Sequence, residues 1–157
     1  MNKRIEIWTS PPARFGQVSL DARLARLLEQ IERCAAKPGA DEVHDLRVSI
    51  RRFSQALRIF ASMLSPTQVK AMRKALHPVM EAAGRGRDLD VGLDRLLDEG
   101  LEENNFVLEE MRAERRRGEL ALCGRLLLLK SREPERSWPA VLRIQTASPM
   151  KREAGGQ

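Results

Sequence analysis

The fold is decided by residues 42–64, EVHDLRVSIRRFSQALRIFASML. The large apolar side chains of this stretch recur at intervals of three and four residues: Leu46, Ile50, Phe53, Leu57, Phe60 and Leu64. Because an α-helix has about 3.6 residues per turn, this spacing brings all of them onto one stripe. We therefore predict an amphipathic second helix from about Glu42 to Met63, capped by Asp41, with this stripe facing the core.

The sequence on both sides of this helix has the same periodicity. Residues 20–37 predict a first helix, which Ser19 caps and the Pro-Gly pair at 38–39 ends. Downstream, residues 65–68, SPTQ, combine an N-cap serine with proline at the first helical position, and they predict a third helix to about Ala83. No alternating pattern typical of strands is present, so we predict an all-α fold, an antiparallel helical bundle.

Proline and glycine predict where the later helices break. Pro78 lies inside the third helix and is expected to kink or split it near His77, because proline lacks a backbone donor. Gly84 and Gly86 are predicted to end that helix, and a fourth helix is predicted to begin near Asp88.

The C-terminal part completes the predicted organisation. After Gly100, the charged residues 102–130 predict one long or broken helix, and residues 141–144 are expected to add a final turn after Trp138-Pro139. We predict an N-terminal extension at 1–18, a helical domain at 19–145 and a disordered tail at 146–157.

Charge and composition favour an acidic partner. The chain has 157 residues, a net charge of +6 and a pI near 10.0, and its 28 basic residues comprise 22 arginines and 6 lysines. Arginine matches phosphate oxygens with a planar fork of donors, which lysine lacks. Aromatic residues make up only 4% and tyrosine is absent, so the base stacking used by single-strand binders is not favoured.

The cysteines and apolar runs predict a reduced, cytoplasmic protein. Cys34 and Cys123 each lie in a helical pattern, which suits free thiols better than a disulfide framework. The first residues lack the apolar run of a signal peptide, and the leucines at 126–129 are too few to span a bilayer. These cysteines and the two histidines do not have the spacing of a zinc site, so no metal or other cofactor is expected.

Basic residues are concentrated between Arg47 and Arg87. On the second helix, helical spacing aligns His44 with three arginines, and on the third it aligns two lysines with Arg73 and His77. This segment contains nine cations and a single anion, Glu81, which gives it a local net charge of +8. The cations are Arg47, Arg51, Arg52, Arg58, Lys70, Arg73, Lys74, Arg85 and Arg87. The rest of the chain is slightly acidic.

This clustering has two interpretations. Long cationic side chains commonly form solvated helix faces, with their stems covering apolar surface. A merely solvated face, however, gains about 0.2–0.5 kcal/mol from each glutamate placed four residues away, and such glutamates are scarce here. The same-sign neighbours therefore favour a polyanionic partner that engages many cations together.

Two motifs carry a family resemblance. Residues 44–52, HDLRVSIRR, resemble the His-x-x-Arg-x-x-x-Arg-Arg helix of CHAD domains, the conserved histidine α-helical domains. Residues 84–91, GRGRDLDV, resemble the Gly-x-x-Arg-Asp-x-Asp-Val turn of the same family. The order of the motifs matches the family, as does the basic helix with Lys70 and Lys74 between them. The resemblance implies an all-helical module that binds inorganic polyphosphate and is associated with polyphosphate granules.

The resemblance also implies roles for individual residues. The implied polyphosphate-binding residues are His44, Arg47, Arg51, Arg52, Arg58, Lys70, Arg73, Lys74 and Arg87. Asp88 and Asp90 are expected instead to cap the fourth helix and orient arginines, because a carboxylate repels an anionic ligand. Arg85 and His77 are secondary candidates, and Arg132 serves as a control outside the site.

The chain departs from the family pattern in one respect. The usual domain is an internal duplication of two helical halves around a basic channel, whereas a single His-x-x-Arg-x-x-x-Arg-Arg element is found here. Residues 20–145 thus resemble the N-terminal half of that architecture. Either the chain is a short or truncated member, or two chains form a homodimer that completes the channel.

Other classes of function have less support in the sequence. No Ser-His-Asp, Cys-His or paired-carboxylate arrangement can be assembled on one face, so we expect a binding protein rather than an enzyme. A nucleic-acid-binding helical bundle is an alternative, because a basic helix with arginines serves that purpose equally well. A basic scaffold that docks an acidic protein partner is a second alternative.

Overall fold

The structure, a computed structural model, describes residues 12–144 as a bundle of helices. It contains α1 (Pro12–Ala36), α2 (Ala40–Ile59), α3 (Pro66–Asp98), α4 (Phe106–Lys130) and α5 (Pro134–Val141), with a short 3-10 helix (Ala61–Met63) between α2 and α3. No strand occurs in this part of the chain. The predicted all-α fold is therefore confirmed.

Helix α1 is longer than the sequence predicts. It is helical from Pro12, so Ser19 lies within the helix and the expected cap at that residue is wrong. Contacts with the C-terminal segment explain the extension. The Gln17 side chain donates to the Leu142 carbonyl oxygen at 2.8 Å and accepts from the Ile144 amide at 2.9 Å. These hydrogen bonds give the first turns of α1 a tertiary partner that a local pattern does not reveal.

Helix α2 carries the predicted core stripe. Leu46, Phe53 and Leu57 are fully buried, and Ile50 is nearly so. The helix begins at Ala40 after Gly39, which makes no side-chain cap, so the predicted capping by Asp41 is wrong. Asp41 instead lies in the first turn, where a negative charge is favourable beside the helix dipole. The helix ends at Ile59 and the chain then tightens into the 3-10 helix, four residues before the predicted end.

Helix α3 is a single unbroken helix, and the predicted split into two helices is wrong. It begins at Pro66 after Ser65, as predicted, and then continues through Pro78, Gly84 and Gly86 to Asp98. The reason is tertiary. A buried face runs through the whole middle of the helix, formed by Met72, Leu76, Val79, Ala82, Ala83 and Gly86. Burial of that face against α2 and α4 offsets the hydrogen bond lost at proline and the low helix propensity of glycine.

The chain reverses between α3 and α4 at Gly100. This residue has a φ of +91°, which glycine adopts without steric cost. Its amide donates to the Leu97 carbonyl oxygen at 3.0 Å, and the Leu101 amide donates to the Leu96 carbonyl oxygen at 3.1 Å. These bonds satisfy two of the carbonyl groups at the end of the helix.

Helices α4 and α5 close the bundle. Asn105 caps α4 by accepting a hydrogen bond from the Val107 amide at 2.9 Å, and α4 then runs to Lys130 without a break. Helix α5 includes Trp138 and Pro139, so the final turn predicted after them is wrong, and residues 142–144 are not helical. Trp138 stacks on Phe53 of α2 with ring centroids 6.1 Å apart, which fastens α5 onto the core.

The helices pack in sequence order. Helix α2 lies against α1 and α3, α3 lies against α4, and both α4 and α5 return to α1. In the described part of the chain, no helix has the length and apolar character needed to cross a membrane. The predicted tail at 146–157 and most of the predicted extension at 1–18 lie outside the described residues, and the predicted domain limits stay a prediction.

Candidate functional site

The basic stripe of α2 lies on the side of the helix that faces away from the core. His44, Arg51 and Arg58 are exposed. Arg47 is half-buried, and its Nε atom is buried without a hydrogen-bond partner among residues 12–144. Arg52 is also exposed, but helical geometry places it about 80° around the axis from His44, outside the stripe.

The first three to four turns of α3, from Pro66 to Pro78, form one wall of a groove of about 870 Å³. The described lining includes four exposed basic residues: Lys70, Arg73, Lys74 and His77. Ala61, Val69 and two prolines supply apolar surface between them, and the described lining contains no carboxylate. Between Pro66 and Pro78 the helix rises by about 18 Å, so the groove is long enough for an extended ligand.

The structure does not gather all the predicted residues in this groove. The described lining includes none of the α2 residues and does not include Arg87, which is half-buried further along α3. Helices α2 and α3 nevertheless pack against each other, so the two basic faces belong to neighbouring elements. His77, a secondary candidate in the sequence, lies beside the two lysines in the groove.

Ion pairing separates the predicted site from other basic residues. Within residues 12–144, none of the nine predicted polyphosphate-binding residues forms a salt bridge. Arg117, by contrast, contacts Glu114 at 2.7 Å and Glu110 at 3.0 Å, and these carboxylates raise the pKa of its guanidinium. The secondary candidate Arg85 lies 3.8 Å from Glu81. The predicted site therefore keeps its positive charge without internal compensation from the described carboxylates.

The two aspartates of the second motif do not cap a helix. Asp88 and Asp90 both lie inside α3, which continues through the motif, so the expected capping is wrong. Asp90 accepts a hydrogen bond from Nε of Arg115 on α4 at 2.7 Å, and both side chains are largely buried. This pair joins α3 to α4 near the end of the motif. Asp88 is exposed.

Two arginines that the sequence analysis left outside the site lie close to it. Arg125 and Arg132 line a second groove, between α3 and α4, together with Lys74. Arg132, which the sequence analysis chose as a control outside the site, thus shares a groove with the predicted site residue Lys74. The sequence offers no helical signal for this pair, because α4 ends at Lys130 and Arg132 lies in the turn that follows it.

The described residues offer no obvious metal centre. No group of three or more histidine, cysteine, aspartate or glutamate side chains is placed to hold a metal ion in this part of the chain. The chemistry of the basic faces is that of hydrogen-bond donors and positive charge, which suits an anion.

Fold and site together define a class of protein, an all-α helical bundle with uncompensated basic faces on adjacent helices. The family follows from comparison with family models: the model described as CHAD domain matches residues 18–155, and the chain belongs to the CHAD domain family. CHAD domains are associated with polyphosphate binding. Comparisons with curated proteins and with solved structures gave no match.

Proposed function

We propose that this protein binds inorganic polyphosphate, without catalysis, through the basic faces of α2 and α3. The observation that carries the proposal is the α3 groove, where Lys70, Arg73, Lys74 and His77 meet without a carboxylate in the described lining. The arginines of α2, together with Arg87 on α3, supply further contacts with the polyphosphate. Membership of the CHAD family supports the choice of ligand.

The exposure of these cations favours a polymer over a small anion. A single exposed ion pair contributes only about 0–1 kcal/mol, because water screens both charges. Useful affinity therefore requires several contacts made by one ligand, so that each contact after the first is effectively intramolecular. Polyphosphate presents many charges on one flexible chain, and arginine can bind its oxygens in pairs.

A nucleic acid is the main alternative ligand, and the lack of phenylalanine and tryptophan in the described groove lining argues against it. The described groove lining includes no phenylalanine or tryptophan, and Phe53 and Trp138 are buried in the core. Without aromatic side chains on which bases can stack, a nucleic acid would be held by its phosphates alone. Polyphosphate presents phosphate groups at a higher charge density than a nucleic acid does. We expect polyphosphate to displace DNA or RNA at equal phosphate concentration. Preference for the nucleic acid would contradict the proposal, and binding of neither would favour an acidic protein partner.

The site itself is tested by removing single charges. We expect Arg73→Gln and Arg51→Gln each to weaken polyphosphate binding by roughly fivefold, corresponding to the loss of about 1 kcal/mol from one charged contact. Binding is measured by titration at fixed ionic strength, because affinity for polyanions depends on salt. The matched control is Arg116→Gln on α4, which is exposed and forms no salt bridge with a described carboxylate. Equal weakening by all three substitutions would mean that net charge, not this site, determines binding.

The proposal also includes the oligomeric state of the protein and its location in the cell. We infer that two copies associate, as the resemblance to half of a duplicated domain implies, and that the protein resides in the cytoplasm on polyphosphate granules. Exposed leucines on α4 support the homodimer: Leu120 is 73% and Leu127 is 64% exposed. Surface leucines grouped on one helix face are typical of a protein interface.

A further inference from the structure

A second groove, of about 390 Å³, lies between α3 and α4. Lys74 and Pro78 contribute to it from α3, and Arg125 and Leu128 contribute from α4. Arg132, which follows the end of α4, completes its basic lining. The second groove thus combines three cations, one from α3, one from α4 and one from the turn after α4.

The second groove adjoins the first. Lys74 and Pro78 line both of them, so the two grooves share an edge in the N-terminal half of α3. An extended anion that follows Lys70 and Lys74 along the first groove reaches the second at this junction. Arg125 and Arg132 lie beyond the junction, on the other helix.

The charge of the second groove is also uncompensated. Arg125 and Arg132 are both exposed, and neither forms a salt bridge within residues 12–144. No acidic residue belongs to the described lining, whose remaining surface is aliphatic, as with Ala75 and the half-exposed Leu128. The second groove therefore presents its positive charge without compensation from a described carboxylate.

The backbone holds Arg132 at this position. The Arg132 amide donates to the Leu129 carbonyl oxygen at 3.1 Å, and the Glu133 amide donates to the Lys130 carbonyl oxygen at 2.9 Å. Glu133 then adopts a left-handed conformation with φ of 48°, which is uncommon for a residue other than glycine. This tight turn fixes the start of the Arg132 side chain beside the groove.

We infer that Arg125 and Arg132 form a second binding segment for polyphosphate, which extends the α3 groove onto α4 through Lys74. The inference rests on the proposed function and adds a dependence on polymer length. A short polyphosphate occupies the α3 groove alone, whereas a long one also contacts α4. Affinity per molecule therefore increases with length until both grooves are filled.

The test compares two lengths of polyphosphate on the double variant Arg125→Gln/Arg132→Gln. We expect its affinity for a long chain to fall by roughly tenfold or more, as two charged contacts are lost. Affinity for tripolyphosphate is expected to change by less than about twofold, because this short ligand is confined to the first groove. The conservative double variant Arg125→Lys/Arg132→Lys is expected to recover part of the long-chain affinity, because it keeps the charge.

The matched control is Arg33→Gln/Arg116→Gln, which also removes two exposed arginines without described ion pairs and lies outside both described linings. Melting temperatures of all variants establish that they fold alike. If the control weakens long-chain binding as strongly as the double variant, the second segment is refuted. The second segment is also refuted if the double variant weakens the binding of long-chain polyphosphate and of tripolyphosphate equally.

Failure of this inference is distinct from failure of the proposed function. If Arg73→Gln weakens binding of both lengths and the Arg125/Arg132 variant weakens neither, the α3 site stands and the second segment is refuted. If neither variant changes binding, both proposals are overturned. If only the Arg125/Arg132 variant has an effect, the grooves do not act as one continuous track, which also overturns the inference.

Discussion

The thiol of Cys34 is fully enclosed by the core at the C-terminal end of α1. Burial, reinforced by the neighbouring Cys123 and by Glu42 and Glu119, raises the pKa of this thiol to about 11 from an ordinary 9.0. The buried thiol therefore holds its proton in the folded protein at pH values where the unfolded chain has released it. Protonation of this group is thus coupled to folding.

This coupling predicts a loss of stability at alkaline pH. Below pH 9 both states hold the proton and the contribution is fully present, and it is lost as pH rises from 9 towards 11. We expect Cys34 to account for a decrease of about 2 kcal/mol in the free energy of unfolding over this interval. Urea unfolding of the wild type and of Cys34→Ala, at several pH values, isolates this contribution from the titration of lysines. A stability difference between the two proteins that stays constant with pH would contradict the prediction.

At the scale of the element, α3 depends on its neighbours more than on its own sequence. Pro78 and three glycines, at 84, 86 and 92, lie inside the helix, yet the helix continues past all of them. A Cβ atom added at Gly84 would meet nothing within 4 Å, so glycine is not required there for space. Gly100 differs because its φ of +91° is unfavourable for any residue with a side chain.

Alanine at these two glycines should therefore have opposite effects. We expect Gly84→Ala to raise the free energy of unfolding by about 0.5–1 kcal/mol, because alanine loses less entropy on entering a helix. Gly100→Ala is expected to lower it by about 1 kcal/mol or more, owing to the left-handed backbone. Chemical denaturation measures both. Destabilisation by Gly84→Ala would indicate a turn at residues 84–86, as in the prediction from sequence.

At the scale of the whole molecule, the exposed apolar face of α4 bears on assembly. Leu120 and Leu127 lie seven residues apart, about two helical turns, and thus on one side of the helix. Neither lines the second groove, so they are open to substitution without removing a proposed ligand contact.

The proposed homodimer is tested by sedimentation velocity. We expect the chain to sediment as a dimer with or without polyphosphate, and the variant Leu120→Glu/Leu127→Glu to sediment as a monomer, because charge at a buried apolar contact is strongly unfavourable. Tripolyphosphate is the appropriate ligand, since a long chain joins two molecules without any protein contact between them. A wild-type monomer under both conditions would remove the dimer proposal.

Much of the fold was predictable because helical periodicity is a local property. The spacing of Leu46, Phe53 and Leu57 is sufficient to place them on one buried stripe, and the structure confirms it. The same local rule identified the cations of α2 and α3, their common stripes and their lack of neighbouring carboxylates. Residues 44–52 and 84–91 were sufficient to identify the family, which the match to the CHAD model confirms.

The tertiary structure decided what depends on contacts between distant parts of the chain. Helix α3 continues through Pro78 because burial against α2 and α4 outweighs the cost of a missing hydrogen bond, and Gln17 extends α1 by bonding to residues 142–144. Lys74 and Arg132 meet only because α3 and α4 pack together. The sequence by itself thus determined which residues are basic and on which face of a helix they lie. Only the packing of the helices decided which of those faces join into a groove, because burial energy acts across the whole chain and a periodic pattern does not.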